Sequence, residues 1–243
     1  MNAVVLERER VTITAYDWVP GFAQGLVRDL RLRWALEEAG FAYEVELVPQ
    51  GTQAHAHNMS RQPFGQIPTL TTGAGTMFEG TMFESGACVW RIAEESEILL
   101  PGDEAGRDQC LSWTFAALNT VEPPLSMMAM LGFFEREPRH FGIADAGAVA
   151  AIRPGARHGA LLRLRQLADA LGKRQHLVAD RFTVADLIMV TVLRIADSLD
   201  LLDEVPDLRD YVSLHTARPA FAGALDGQLT PFRQNAAKYE TGN

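Results

Sequence analysis

The sequence predicts an α/β N-terminal domain followed by an all-α helical C-terminal domain. Three observations carry this. Before about residue 100, apolar residues recur both at period two and at helical spacing, the mark of mixed strands and helices. Pro101-Gly102-Asp103 then punctuates the chain as a linker. From Ala105 onward the period-two pattern disappears, and apolar faces alternate with Arg, Asp and Gln at period 3.6.

Val11, Ile13 and Ala15 alternate with Thr12 and Thr14, and Tyr43, Val45 and Leu47 alternate with Glu44 and Glu46, so both segments read as strands. Between them Leu26, Leu30 and Trp34 recur every four residues, Leu36 continues the apolar side and Gly40 ends it, which predicts a helix. A strand, helix, strand opening is ordinarily parallel and right-handed. A polar stretch from Gln50 to Arg61 leads into QPFGQIPTL (Gln62 to Leu70), a Gly/Pro-punctuated entry to a short strand. The turn-like Thr72-Gly73-Ala74-Gly75 and a second strand up to Phe83 complete an antiparallel hairpin, in which TMFEG (Thr76 to Gly80) is followed at once by TMFES (Thr81 to Ser85). Ser85 to Glu95 carries Ala87, Cys88, Trp90, Ile92 and Ala93 at helical spacing.

Beyond the linker, Arg107 to Thr120, Ala156 to Leu171 and Thr183 to Leu199 read as helices. Pro123-Pro124 should kink or break one of them, because proline removes a backbone donor and clashes with the preceding turn. The resulting boundaries are residues 1–98 and 105–243.

Composition narrows the functional classes. Hydrophobic residues make up 47% and charged residues 22% of the 243, the balance of a globular chain long enough to bury a core without disulfides. The 22 basic and 31 acidic residues give a formal charge of -9, which disfavours nucleic acid and anionic lipid as partners. Leu125 to Phe134 and Leu187 to Val192 are far shorter than the roughly 20 residues that span a bilayer, and the first ten residues carry no leader core, so neither a membrane span nor export is expected. Cys88 and Cys110 form no Cys-x-x-Cys and no zinc-type spacing, which predicts a reducing, cytoplasmic setting and no metal. His55 and His57 have no third ligand nearby in sequence and read as solvated.

Three short segments carry chemistry. Pro68 leads into a strand after Gly65-Gln66, where it is either an ordinary trans residue at a strand start or a cis residue that turns Ile67 to offer its backbone to an extended ligand. Glu84-Ser85 sits where a strand hands over to a helix. There the Ser85 hydroxyl and the first helical N–H groups suit a carboxylate while Glu84 suits an ammonium; the plainer alternative is an N-cap serine beside a solvated glutamate. Thr183-Val184-Ala185-Asp186, preceded by Phe182 and followed by Leu187, reads as a structural capping box with a hydrophobic staple rather than a catalytic acid.

In this order, on a thioredoxin-like half joined to a helical half, these features resemble the glutathione transferase family over nearly the whole chain. The resemblance, to bacterial cytosolic members, is carried by RDLRLRWALEEAG (Arg28 to Gly40), QPFGQIPTL, FESGACVWRIAEE (Phe83 to Glu95), DRFTVADLIMV (Asp180 to Val190) and ARPAF (Ala217 to Phe221). It implies a cis Pro68 and an Ile67 that pairs with the cysteinyl backbone of glutathione. It also implies Glu84 and Ser85 at the γ-glutamyl end with Gln66 assisting, a detoxifying transferase, and a two-fold homodimer. The helical domain would then line a pocket for a hydrophobic electrophile, for which Met127, Met130 and Phe134 are candidates; dimer contact or plain core explains that cluster equally well.

Two departures from the family pattern stand out. The hydroxyl expected after the first strand aligns with Val19, which cannot donate a hydrogen bond. Ionising a thiol of pKa about 8.5 near neutrality takes a shift of about two units, or about 3 kcal/mol, usually supplied by one charge-assisted hydrogen bond. The remaining candidates are the Tyr16 hydroxyl, the Trp18 indole and the backbone N–H groups of Gly21, Phe22 and Ala23. The tandem TMFE also lengthens the hairpin by about five residues; Glu79 is rejected as a substitute for Glu84 because only Ser85 runs on into the family-like helix. With no cysteine near the first helix, chemistry that needs a protein thiol there has no nucleophile. Val19 keeps open the alternative of a glutathione-fold binding or interaction protein without appreciable turnover.

Overall fold

The computed structural model describes residues 11–72, 80–96, 98–136, 138, 142 and 146–240. The chain divides into two compact units, Met1–Pro101 together with Ala217–Asn243, and Gly102–Thr216. A four-stranded mixed sheet with helices makes up the first and helices make up the second, the fold class the periodicities predict.

In the first unit β1 (Val11–Tyr16) is followed by a 3-10 turn (Gly21–Ala23), α1 (Asp29–Ala39), β2 (Glu44–Val48), the one-turn α2 (Ala56–Met59), β3 (Leu70–Thr72), β4 (Thr81–Met82) and α3 (Ser85–Glu95). The strand order is β2-β1-β3-β4. β1 pairs in parallel with β2 from Thr12↔Glu44 to Tyr16↔Val48 and antiparallel with β3 from Val11↔Thr72 to Ile13↔Leu70. As a central strand β1 buries Val11, Ile13 and Ala15 almost completely, whereas Leu47 on the edge strand β2 stays 40% exposed. The hairpin turn and the first TMFE copy fall at residues 73–79, outside the described residues.

Leu26 belongs to the predicted helical stripe but lies ahead of α1: Gly25, at φ 79, interrupts helical geometry, and Leu26 N–H closes a turn onto Ala23 C=O at 3.0 Å. Gly40 ends the helix in the left-handed conformation, φ 66, with its N–H on the carbonyls of Leu36 and Glu37, the C-cap role glycine fills without Cβ strain. α1 is buried on all sides from Asp29 to Leu36, charges included. The reason is the final helix, α9 (Pro219–Glu240), which groups with this unit and packs along α1. Trp34 meets Phe221 edge-on at 4.9 Å, Arg218 makes a paired ion bridge to Glu38 at 2.6 and 2.8 Å, and Gln228 Nε2 reaches Val27 C=O and Asp29 Oδ1.

The second unit runs through α4 (Glu104–Ala116), a π-helical segment (Ala117–Val121), α5 (Glu122–Arg136), α6 (Ala146–Leu171), α7 (Val184–Asp197), a 3-10 turn (Leu201–Glu204) and α8 (Pro206–Thr216). Asp103 caps α4 by accepting from Gly106 N–H at 2.8 Å. Pro123-Pro124 does not break the chain's helical course. The prolines occupy the first turn of α5, where their missing N–H groups cost least, and the wider π turn just before them makes the junction from α4. α7 is the core helix, with every residue from Val184 to Leu193 buried, and Thr183 and Asp186 form its capping box. Among the described residues no helix is long and apolar enough to cross a membrane.

Candidate functional site

The site begins with how β1 holds the start of β3. Thr14 N–H donates to Thr69 C=O at 3.1 Å, and Thr69 N–H donates back to Thr14 Oγ1 at 2.8 Å, so the residue after Pro68 is clamped to the central strand from both sides. The Ile67–Pro68 bond is cis. Upstream, the buried Gln62 braces the approach: its Nε2 donates to Gln66 C=O and its Oε1 accepts from Phe64 N–H at 2.8 Å. Gly65 sits at φ 60, and a Cβ added there would meet Ala54 Cα at 3.1 Å and Met59 Sδ at 3.2 Å, so both its conformation and its close surroundings disfavour a side chain.

Across the sheet, β4 hands over to α3 through Glu84, whose backbone sits at φ 65, ψ 112. That makes Glu84 the N-cap and Ser85 the first helical residue, so Ser85 is not the capping serine of the plainer expectation. Its hydroxyl instead accepts from Arg31 Nη1 at 3.1 Å, and both side chains are buried. An Arg-bound hydroxyl keeps its own hydrogen available to donate. The opening N–H groups of α3 and the guanidinium behind Ser85 make this corner electropositive, while the exposed Glu84 carboxylate sits at its rim.

One cleft within the first unit gathers Gln66, Ile67, Pro68, Glu84 and Ser85, joined by Arg28, Gln62 and Phe83. Sequence reasoning passes over these last three and over Arg31. The available signal is the pair of arginines in Arg28-Asp29-Leu30-Arg31: Arg28 stays exposed at the cleft, whereas Arg31 is buried against Ser85 of α3 and becomes an interior cation.

The segment after β1 does not line this cleft. Tyr16 is half-buried, and burial pushes its phenol above the ordinary range. Trp18 stacks on Tyr239 of α9 at 4.9 Å and 8°, and its buried Nε1 has no hydrogen-bond partner. Tyr239 is held in turn: its hydroxyl donates to the Asp17 carboxylate at 2.8 Å and accepts from Gln50 N–H at 3.2 Å, and Lys238 Nζ reaches Asp17 at 3.0 Å. Val19 is buried, with its carbonyl accepting from Gln24 Nε2 at 3.0 Å. Of the backbone candidates, Ala23 N–H is committed to Pro20 C=O at 2.8 Å; Gly21 and Phe22 are exposed residues of the same 3-10 turn. Burial drives the Cys88 thiol up to about 12 and raises Cys110 as well, so neither is a thiolate near neutrality. In the second unit Met127, Met130 and Phe134 share one face of α5 by their spacing, Met127 and Met130 exposed at 52% and 39% and Phe134 half-buried, while Met128 and Leu131 turn inward.

The family model described as glutathione S-transferase, N-terminal domain matches residues 30–95, and the one described as glutathione S-transferase, C-terminal domain matches residues 140–219. Among solved structures, a glutathione transferase from Pseudomonas putida with one glutathione disulfide bound per subunit is 24% identical, covering 89% of this chain and 91% of its own at a TM-score of 0.70. A Burkholderia graminis glutathione transferase with two glutathione molecules bound per subunit is also 24% identical, covering 90% and 88% at 0.72. The nitrogen regulation fragment of the yeast prion protein Ure2p is 20% identical, covering 90% and 97% at 0.72. At these identities the likeness is one of fold.

Proposed function

Because the chain belongs to the glutathione transferase family, with models of both its domains matched, we propose that the cleft binds glutathione and that the protein adds the glutathione thiolate to a hydrophobic electrophile. The observation that carries this reading is the convergence, within one cleft, of the cis Ile67–Pro68 peptide with the Arg31-backed Ser85 at the start of α3. Ile67 offers N–H and C=O to the extended cysteinyl residue. Ser85 O–H and the first N–H groups of α3 take the γ-glutamyl carboxylate, with Glu84 at its ammonium and Gln66 assisting.

The sulfur would then point toward the end of β1, where Tyr16 O–H is our first choice to donate to it. A phenol whose pKa is raised stays protonated, which suits a donor. Trp18 Nε1–H and the Gly21 N–H are the alternatives. The thiolate attacks the electrophilic carbon, the carbon–halogen bond of an aryl halide breaks, halide leaves with the electron pair, and the thiol proton passes to solvent. For the electrophile we propose the α5 face of Met127, Met130 and Phe134, and for the assembly a two-fold homodimer in the reducing cytoplasm, where free Cys88 and Cys110 stay reduced.

The test is conjugation of an activated aryl halide followed against pH. The expected result is a rate well above that of free glutathione, with an alkaline limb that reports thiol ionisation near neutrality. Tyr16→Phe should move that limb up by about one unit or more while glutathione affinity holds. A rate no better than free glutathione, with binding retained in calorimetry, favours the second reading, a glutathione-binding or interaction protein. The buried Val19 at the expected hydroxyl position is what recommends that reading.

A further inference from the structure

We propose that the helical unit holds a second, separate site: His176, Asp186 and His215 bind one divalent transition ion of the zinc class. His176 comes from the connection between α6 and α7, Asp186 from the first turn of α7 and His215 from the last turn of α8, and one ligand atom from each lies within 4.8 Å of the others. Spacings of 10 and 29 residues hide such a set from any scan for metal-binding sequence patterns.

The hydrogen-bond pattern favours a cation. His215 Nε2 lies 2.9 Å from Gln175 C=O, which can only accept, so Nε2 carries a ring hydrogen and Nδ1 is the atom His215 would offer an ion. His176 Nδ1 is buried without any hydrogen-bond partner. Such an orphan in a native interior calls for an occupant. Asp186, wholly buried, accepts from Leu177 N–H, Tyr211 O–H, Thr183 N–H and Thr183 O–H, all neutral donors, and no cation pairs with it among the described residues. The capping box accounts for the Thr183 bonds. It does not account for two imidazoles gathered around the same carboxylate.

The surroundings fix the rings. His215 stands edge-on to Tyr211 at 4.6 Å and tilts against Phe182 and His176 at 5.2 Å each. Two imidazole nitrogens and one carboxylate suit zinc or its first-row neighbours rather than calcium or magnesium, which take all-oxygen sets. Bonds of about 2.1 Å would hold tetrahedral ligand atoms about 3.4 Å apart, so the set must draw in by about 1.4 Å at its widest, and the half-buried His176 is the ligand free to swing. Each Asp186 oxygen already accepts two hydrogens, so the ion displaces one of them. We assign that place to the Tyr211 hydroxyl, which comes from another helix. Bound, the ion would pin the α6–α7 connection to α7 and α8.

The test is calorimetric titration of the whole chain with zinc chloride near neutral pH, repeated for His176→Ala, Tyr211→Phe and, as a surface control, His57→Ala. One ion per chain is expected, with affinity lowered at least about tenfold in His176→Ala, raised in Tyr211→Phe and unchanged in His57→Ala. Absence of binding to the unaltered chain, equal affinity in His176→Ala, a fall in Tyr211→Phe, or loss of the ion in His57→Ala would each overturn the site.

Discussion

Glu84 carries its backbone at φ 65 with a full side chain attached, in a region that costs of order 1–3 kcal/mol unless the surroundings impose it. What imposes it is the tight handover from β4 into α3, which sets Ser85 at the helix start against Arg31. Replacing Glu84 by Gly relieves the conformation and replacing it by Ala does not. In chemical denaturation Glu84→Gly should therefore be more stable than Glu84→Ala by about 1 kcal/mol, although both lose the carboxylate and bind glutathione more weakly. Equal stabilities would show that the strain is absorbed elsewhere. Ser85→Ala removes a donor to the ligand and an acceptor for Arg31, so calorimetry should show glutathione affinity lowered by about 1–3 kcal/mol; an unchanged affinity would displace the γ-glutamyl end from this corner.

At the scale of elements, α1 shows why charge within a helix can mislead. Asp29 is fully buried, and burial pushes its carboxyl above the ordinary range while the Arg33 guanidinium at 2.8 Å opposes the shift. Gln228 of α9 donates to the same carboxylate at 2.6 Å. Gln228→Leu withdraws that donor from a buried acceptor, and thermal or urea unfolding should register a loss of about 1–3 kcal/mol; no change would mean that Arg33 alone satisfies Asp29. The strands, α1, α3 and α7 are legible in the sequence because their apolar residues recur at a single period, and Gly40 and Thr183 announce their ends. The π turn before Pro123 is not legible, since proline chemistry predicts a disturbance without saying which helical geometry absorbs it. In the cleft, residues 66–68 and 84–85 stand out as short ordered motifs. Arg28 and Arg31 do not, because only the packing of α1 against α3, more than 50 residues on in sequence, brings Arg31 to Ser85.

At the scale of the whole molecule, the proposed two-fold homodimer has a direct check. Sedimentation at micromolar concentration should give about twice the 26.7 kDa of the chain, and a single-chain mass would remove that assignment. The first unit draws on both ends of the sequence, whereas the second is one unbroken stretch, Gly102–Thr216. On an elongating ribosome the middle of the polypeptide is thus the earliest part able to finish folding. The N-terminal strands, although made first, must wait for α9 to emerge before α1 is covered, so the nascent chain matures from its centre outward.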